Sequence, residues 1–350
     1  MAAAAVGQSH CAVVLIVESN PSGHRLSYVR VIADQARSDG HAVRILLGGR
    51  CEGHENFGLH LSQYDCVVSF GGENLSIGEM EQFSLRVNAT VVVVPDGDTL
   101  LVPLLRRAGW SGGGRVRLLV MRAPRFETRG LRRFVKSMVI WVAARARRTT
   151  VLTLVSSVEP APGHHEVRDP ARLVHDQRVA PPDGHHRILM IGAITPRKNP
   201  ELVIDSVALL DRPDVELVVA GTVANSCART IAEAPDRLSR SGVKFVHDAR
   251  PLSDDEFDAY VSSSSVVVLA HSNNGPSGVL AKAALAGVNV VAAGAPSLRA
   301  DCDVLGNGAE WTSLRAPDIA AAIERALATR GAKPFPAATE SEFARKMMGL

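Results

Sequence analysis

Ala270-His271-Ser272-Asn273-Asn274-Gly275-Pro276-Ser277-Gly278 joins the apolar run Ser265 to Ala270 to a helical pattern over Val279 to Ala286. A buried strand that ends in a Gly/Ser loop and runs directly into a helix is the repeating junction of a parallel α/β sheet. Ligands bind such sheets outside the carboxyl ends of the strands, which makes this loop a place to search for chemistry. Gly275 and Gly278 let backbone approach a ligand closely, Pro276 suits a first helical turn, and Ser277 adds a hydroxyl. Free amides together with the helix dipole favour an anion here, naturally a phosphate. The same residues also make an ordinary Gly/Ser turn that caps a helix.

Reading outward, short Val/Ile/Leu runs alternate with longer helical patterns along the whole chain, so neither half is all-α or all-β. Strands are predicted at Ala12 to Val17, Ala42 to Leu47, Cys66 to Phe70, Thr90 to Pro95, Val116 to Met121 and Val151 to Val155. They resume at Arg187 to Gly192, Val215 to Ala220, Val243 to His247, Ser265 to Ala270 and Val288 to Ala292. Helices fit between them at Leu26 to Arg37, Asn199 to Leu210, Asp254 to Ser262 and Thr339 to Met348. From Ser156 to His186 the prolines and glycines break any regular element and mark a linker. The expected division is therefore an N-terminal Rossmann-like domain over 1–165, a linker over 166–186, a second such domain over 187–332, and a terminal helix over 333–350 that crosses back to the first domain.

With 350 residues, 46% hydrophobic, the chain can bury two cores. A formal charge of +3 gives no general reason to bind nucleic acid. The five cysteines, Cys11, Cys51, Cys66, Cys227 and Cys302, form no CxxC pair and read as reduced, mostly core thiols of a cytoplasmic protein. Met1 to Gln8 lacks the basic flank of a signal peptide, and no run reaches the roughly 20 apolar residues of a spanning helix. No GxGxxG, Walker A loop, GxSxG elbow or HExxH is present, which removes most support for dehydrogenases, P-loop enzymes, serine hydrolases and zinc proteases.

The loop Gly192-Ala-Ile-Thr-Pro-Arg197-Lys198-Asn-Pro200 puts two cations at the start of the next helix. Cations are unfavourable there unless an anion joins them, so Arg197 and Lys198 are candidates to neutralise a diphosphate; the alternative is two solvated surface charges. The ordered set Ile188 to Lys198, Glu216 to Gly221, Val243 to Val246, Leu252 to Glu256, Val266 to Ala270 and Ser277 to Val291 resembles the donor domain of the GT4-like, retaining GT-B glycosyltransferases over about 187 to 330. That resemblance implies two facing Rossmann-like doubly wound domains, with Arg197 and Lys198 toward the diphosphate, Asp248 and Arg250 near the base, and Asn274, Gly275, Ser277 and Gly278 around phosphate and sugar. Family members usually carry two glutamates eight positions apart around this loop, where this chain has Asn274 and Lys282, so both residues are candidate donor contacts. Asn274 can donate and accept hydrogen bonds, whereas Lys282 can only donate and cannot grip a ribose diol as a carboxylate would.

In the first half, Ser19-Asn-Pro-Ser-Gly23-His24-Arg25 is similar to the glycine-containing loop of that family, with His24 a proton-handling or phosphate-contacting candidate or simply a helix cap. Asp96-Gly97-Asp98 follows the fourth strand, and either carboxylate can orient an acceptor hydroxyl or stabilise an oxocarbenium-like centre; a plain Asp-Gly turn is the alternative. The same three residues spell DxD, as Asp301-Cys302-Asp303 does, but no further oxygen ligands are recognisable, so no metal is expected. The linker pairs His164-His165 and His185-His186 read as solvated imidazoles. The basic segment Arg129 to Arg148 reads either as a solvated helix with a buried stripe or as a helix resting on anionic lipid, at the inner face of the membrane. Taken with the resemblance, these features predict a metal-independent glycosyltransferase, of hexosyltransferase type, that needs no cofactor and moves a sugar from a nucleotide-sugar to a small-molecule, glycan or lipid-linked acceptor, and the resemblance implies retention. The rival is a catalytically inactive relative that binds a sugar nucleotide.

Overall fold

A computed structural model describes residues 11–121, 124, 130–174, 185–329 and 331–350. Arg129 of the basic segment, residues 175–184 of the expected linker and the opening Met1 to Gln8 lie outside the described residues. The chain divides into two compact units, one running to Leu154 and including Gly163–Val167 and Glu340–Leu350, the other made of Val155–Pro162 and Arg168–Thr339.

In the first unit the order is β1 (Val13–Glu18), α1 (Arg25–Ser38), β2 (Ala42–Leu47), α2 (Glu55–Leu61), β3 (Val68–Phe70), α3 (Ile77–Arg86), β4 (Val91–Val94), α4 (Leu101–Arg106), β5 (Arg115–Val120), α5 (Gly130–Ala143), β6 (Thr149–Val155) and β7 (Glu166–Arg168). The second unit continues with β8 (His186–Ile191), α6 (Pro200–Ala208), β9 (Val215–Ala220), α7 (Asn225–Ser239), β10 (Lys244–Asp248), α8 (Asp254–Ser262), β11 (Val266–His271), α9 (Gly278–Ala286), β12 (Asn289–Gly294), α10 (Pro296–Leu305), β13 (Ala309–Thr312) and α11 (Ala316–Ala328). The terminal helix α12 (Glu340–Met348) belongs to the first unit, where Phe343 packs on Tyr28 of α1 with ring centroids 4.9 Å apart.

Side-chain alternation along the strands explains the layers. In β1, Val14 and Ile16 enter one cluster with α1 and α12, while Leu15 and Val17 enter the opposite cluster with α3 and α4. In β8, Ile188 and Met190 face α6, α7 and α11, while Leu189 and Ile191 face α9 and α10. Strands buried on both faces read as unbroken apolar runs, which is why the sequence displays them so clearly.

The sheet orders are β3-β2-β1-β4-β5-β6-β7 and β10-β9-β8-β11-β12-β13. In each, the chain first winds outward from its first strand and then returns to the other side of it, with Ile16 opposite both Ile45 and Val93, and Ile188 opposite both Leu217 and Val266. The crevices at which winding reverses, β1/β4 and β8/β11, are where a doubly wound sheet accepts ligands.

Three local differences from the sequence reading have physical causes. Ser62–Val67 winds as a 3-10 turn, leaving β3 only three residues long. The edge strands β7 and β13 carry mixed Glu-Val-Arg and Ala-Glu-Trp-Thr sequences and give no apolar run to detect. Two strands also extend one residue beyond their apolar runs, β1 onto Glu18 and β11 onto His271.

Candidate functional site

Gly192 follows β8 with φ +90°, and Gly221 follows the neighbouring β9 with φ +115°. A Cβ on Gly221 would come 2.4 Å from the Gly192 carbonyl oxygen, so both glycines are needed for the chain to leave the sheet here. The loop then forms a 3-10 turn over Pro196–Lys198 and enters α6 through Asn199 in the left-handed region. Asn199 donates its side-chain amide to Ala270 O at 2.8 Å, and Ser272 donates its backbone N–H to Arg197 O at 2.8 Å. These bonds stitch the loop after β8 to the loop after β11, bringing Arg197, Lys198, His271 and Ser272 to one switch point.

Lys198 is only 7% exposed and donates to Ile191 O at 2.6 Å. Burial first, then adjacent Arg197, pulls its ammonium down to about 8. His271, which the sequence reading did not single out, is pulled down to about 4 by burial, Lys198 and Arg197 in that order. Its Nε2 is buried and has no hydrogen-bond partner. No carboxylate contributes to the shift of either group. Two desolvated basic groups beside an exposed arginine form a site whose electrostatics favour an anion.

The Gly/Ser loop is held by two devices. Asn274 Oδ1 accepts the Ser297 backbone N–H at 3.2 Å, and Gly275 donates its N–H to Ser297 Oγ at 3.1 Å, so the loop caps the start of α10. Ser277 caps α9, its hydroxyl accepting from Leu280 N at 3.3 Å; Pro276 therefore precedes the cap and is not in the first helical turn. A Cβ on Gly275 or Gly278 would meet nothing within 4 Å, which leaves open space over the loop. Gly275 takes φ +147°, a conformation that disfavours any other residue.

Lys282 turns to a different partner. Its ammonium pairs with Asp258, whose side chain is fully buried, and also donates to Arg172 O at 3.0 Å. The second Asp258 oxygen accepts Val174 N at 2.7 Å. Lys282 thereby fastens α9 to α8 and to the segment entering this unit, and its charge is already compensated. Asp248 and Arg250 likewise bind each other at 3.1 Å; Asp248 accepts the Tyr260 hydroxyl at 2.9 Å and Arg250 reaches Glu256 at 2.6 Å. The Arg250 guanidinium holds the Glu256 carboxyl down at about 2. Strand β10, which carries Asp248, lies two strands from β8, so this pair flanks the switch point at a distance.

At the β1/β4 switch point of the first unit, Asp96 pairs with Arg25 at 2.5 Å and accepts the Asp98 N–H at 3.4 Å. Asp98 accepts Met121 N at 3.0 Å and lies 3.8 Å from the Lys136 ammonium. His24 occupies the position before α1, but its side chain makes no capping bond. Glu18 is buried, with Oε1 accepting the Ser19 and Asn20 amides at 2.9 Å and Oε2 lacking a partner. Burial pushes its carboxyl up to about 8, with Asp96 adding to the rise and Arg25 opposing it. Among the described residues no group of three or more His, Cys, Asp or Glu side chains is arranged to hold a metal ion. The cysteines are free, and Cys51, Cys227 and Cys302 are buried.

Residues 185–329 match the family model of glycosyl transferases, group 1. The matched segment spans β8 to α11 and so contains the whole β8/β11 switch point. Among solved structures, the chain is similar to HepE of Anabaena in complex with UDP and glucose, at 16% identity over 97% of this chain and 96% of that one, TM-score 0.59. It is also similar to a glycosyltransferase of Rickettsia africae, 11% identical over 97% and 93% with TM-score 0.68. Sucrose-phosphate synthase of Thermosynechococcus elongatus is 13% identical over 97% and 94%, TM-score 0.65. Among curated proteins, none matches the chain in sequence. At these identities the likeness is one of fold, two Rossmann-like α/β domains of the GT-B class. Within the group 1 segment, His271 is the functional candidate that sequence reasoning missed; in the other unit it is Glu18. Both are last residues of strands at a switch point, and a polar residue ending an apolar run reads as the start of a loop.

Proposed function

We propose that this chain is a glycosyltransferase whose C-terminal unit binds the diphosphate of a nucleotide-sugar at the β8/β11 strand ends. The observation that carries the reading is the pairing of buried Lys198 with exposed Arg197 and unpartnered His271 Nε2, with no carboxylate acting on either buried group, in a segment matching the group 1 glycosyl transferases. When the bond from sugar to diphosphate breaks, charge develops on the leaving oxygen. Fixed cations and helix-start amides in a site of low dielectric stabilise that charge without reorganising. Transfer then proceeds without a metal and with retention, the nucleotide-sugar being the co-substrate and no cofactor being needed. In the N-terminal unit Asp96 and Asp98, with His24 beside Arg25, are the polar groups that would orient the acceptor hydroxyl.

A second reading is favoured by one observation: the places of the paired glutamates hold Asn274, tied to Ser297, and Lys282, tied to Asp258. A protein that binds a sugar nucleotide without turning it over would tolerate both. The separating experiment offers UDP-, GDP- and dTDP-sugars and measures thermal stabilisation alongside release of nucleoside diphosphate. Stabilisation with release that accelerates when acceptor candidates are added supports the transferase. Stabilisation without release supports the binding protein. No stabilisation by any donor contradicts both.

A further inference from the structure

Helix α5 has two apolar faces, and only one is covered. Val139, Ile140, Ala143 and Ala144 pack against the core formed by α3, α4 and the sheet. Leu131, Phe134, Val135, Met138, Trp141 and Val142 recur at three- and four-residue spacing along another stripe and are 40–77% exposed. The buried stripe expected from sequence is present, formed by Val139, Ile140 and Ala143, and a second apolar stripe faces solvent. Almost half of the exposed large apolar side chains among the described residues lie on this one helix.

The charge around the stripe is one-sided. From Thr99 to Val158 the sequence has 13 Lys and Arg residues and a single acid, Glu127, although the whole chain carries only +3. The remaining sequence is therefore net negative, and the excess of cations falls in the stretch of sequence that contains this helix, although Arg107 pairs with Glu81 and Lys136 lies beside Asp98. Arg133 lies on the helix, Arg145, Arg147 and Arg148 follow its end, and all four are exposed. The Arg145 guanidinium sits 3.7 Å from the centre of the Trp141 ring and donates to Trp141 O at 3.1 Å, an indole and a cation side by side. No helix among the described residues is long and apolar enough to cross a membrane.

We propose that this face of α5 docks the protein on the surface of an anionic lipid bilayer, the apolar stripe entering the acyl boundary and the arginines lying among the headgroup phosphates. An apolar stripe bordered by cations and free of acids is the composition of helices that lie in the membrane interface. Each exposed arginine gains from the negative surface potential, a gain that salt screens. A protein partner would cover the stripe equally well but gives no general reason for exposed Arg133, Arg145, Arg147 and Arg148 to border it. Single-stranded nucleic acid would answer the charge but not the stripe, which is mostly aliphatic and offers no stacking platform. The proposal is independent of the transferase reading.

The test is sedimentation of the full chain with vesicles of phosphatidylcholine alone or with phosphatidylglycerol added, read together with tryptophan emission. Trp110 is buried and Trp311 half-buried under Arg299, so Trp141 supplies the response. Expected are binding to the phosphatidylglycerol vesicles alone, loss of binding in high salt, and a blue shift that Trp141→Phe removes. Replacing Leu131, Phe134 and Trp141 together by Ser should weaken vesicle binding by at least about tenfold while circular dichroism is unchanged. Arg145, Arg147 and Arg148 changed to Gln should weaken it without altering the fold. Absence of binding, equal binding to neutral vesicles, or binding without an emission shift overturns the proposal. So does a wild-type dimer in solution that the triple Ser variant converts to monomer.

Discussion

The two switch points are built on the same topology and filled with opposite electrostatics. At β1/β4 Arg25 is neutralised by Asp96, and burial pushes the Glu18 carboxyl up to about 8. At β8/β11 Lys198 is buried with only a carbonyl oxygen as partner, and His271 beside it is held neutral with an orphan nitrogen. A Rossmann-like crevice is therefore not by itself a phosphate site. What distinguishes the second is uncompensated basicity in a desolvated place, and on the proposed function the diphosphate would bind there, with the acid-lined crevice left for neutral hydroxyls.

The sharpest division is between Lys198, which on the proposed function serves the anion site, and Lys282, which does not. Lys282→Met should cost about 3 kcal/mol of stability, because Asp258 is left buried without its partner, yet UDP affinity should stay within about twofold. Chemical denaturation and calorimetric titration of the same variant measure both. Lys198→Met should behave in the opposite sense, keeping or raising stability while weakening UDP binding by roughly 100-fold, the equivalent of about 2–3 kcal/mol for a charge-assisted contact.

Acidity sharpens the contrast further. The folded pKa of Lys198, about 8, lies below its ordinary value, so the free site loses its charge as pH rises through 8. The terminal phosphate of UDP titrates near pH ~6 and is already ionised there. Affinity should accordingly fall about tenfold between pH 7 and 9 in the wild type, and stay flat in Lys198→Met. Titration at pH 7, 8 and 9 checks this.

The first unit should respond to pH through Glu18 instead. Its folded pKa is raised to about 8, so the native state holds a proton that the unfolded state releases above the ordinary carboxyl pKa of 4.5, and stability declines as pH rises from there to 8. Glu18→Gln keeps an oxygen for the Ser19 and Asn20 amides and removes the titration. Its melting temperature at pH 9 should exceed that of the wild type by about 3 °C, with a smaller difference at pH 5.

The fold was largely legible because parallel strands such as Val91–Val94 and Val266–Leu269 bury both faces and leave continuous apolar runs. The helices read from spacing, α1, α6, α8, α9 and α12, lie within a few residues of their predicted limits. The cationic loop was legible too, since Arg197 and Lys198 stand together before a helix start. Partners were not. Sequence spacing gives no hint that Asp258, 24 positions away, holds Lys282, nor that Asn274 serves the start of α10. Glu18 and His271 were hidden for a related reason: burial, not residue type, makes them unusual, and burial at a strand end depends on neighbouring strands far away in sequence.

The most direct test is the structure of crystals soaked with UDP. The account predicts diphosphate density at the ends of β8 and β11, within hydrogen-bond reach of Lys198 Nζ, with His271 Nε2 and the Gly278 turn lining the same density. Diphosphate density at the ends of β1 and β4 beside Arg25, with the Lys198 crevice empty, would contradict it.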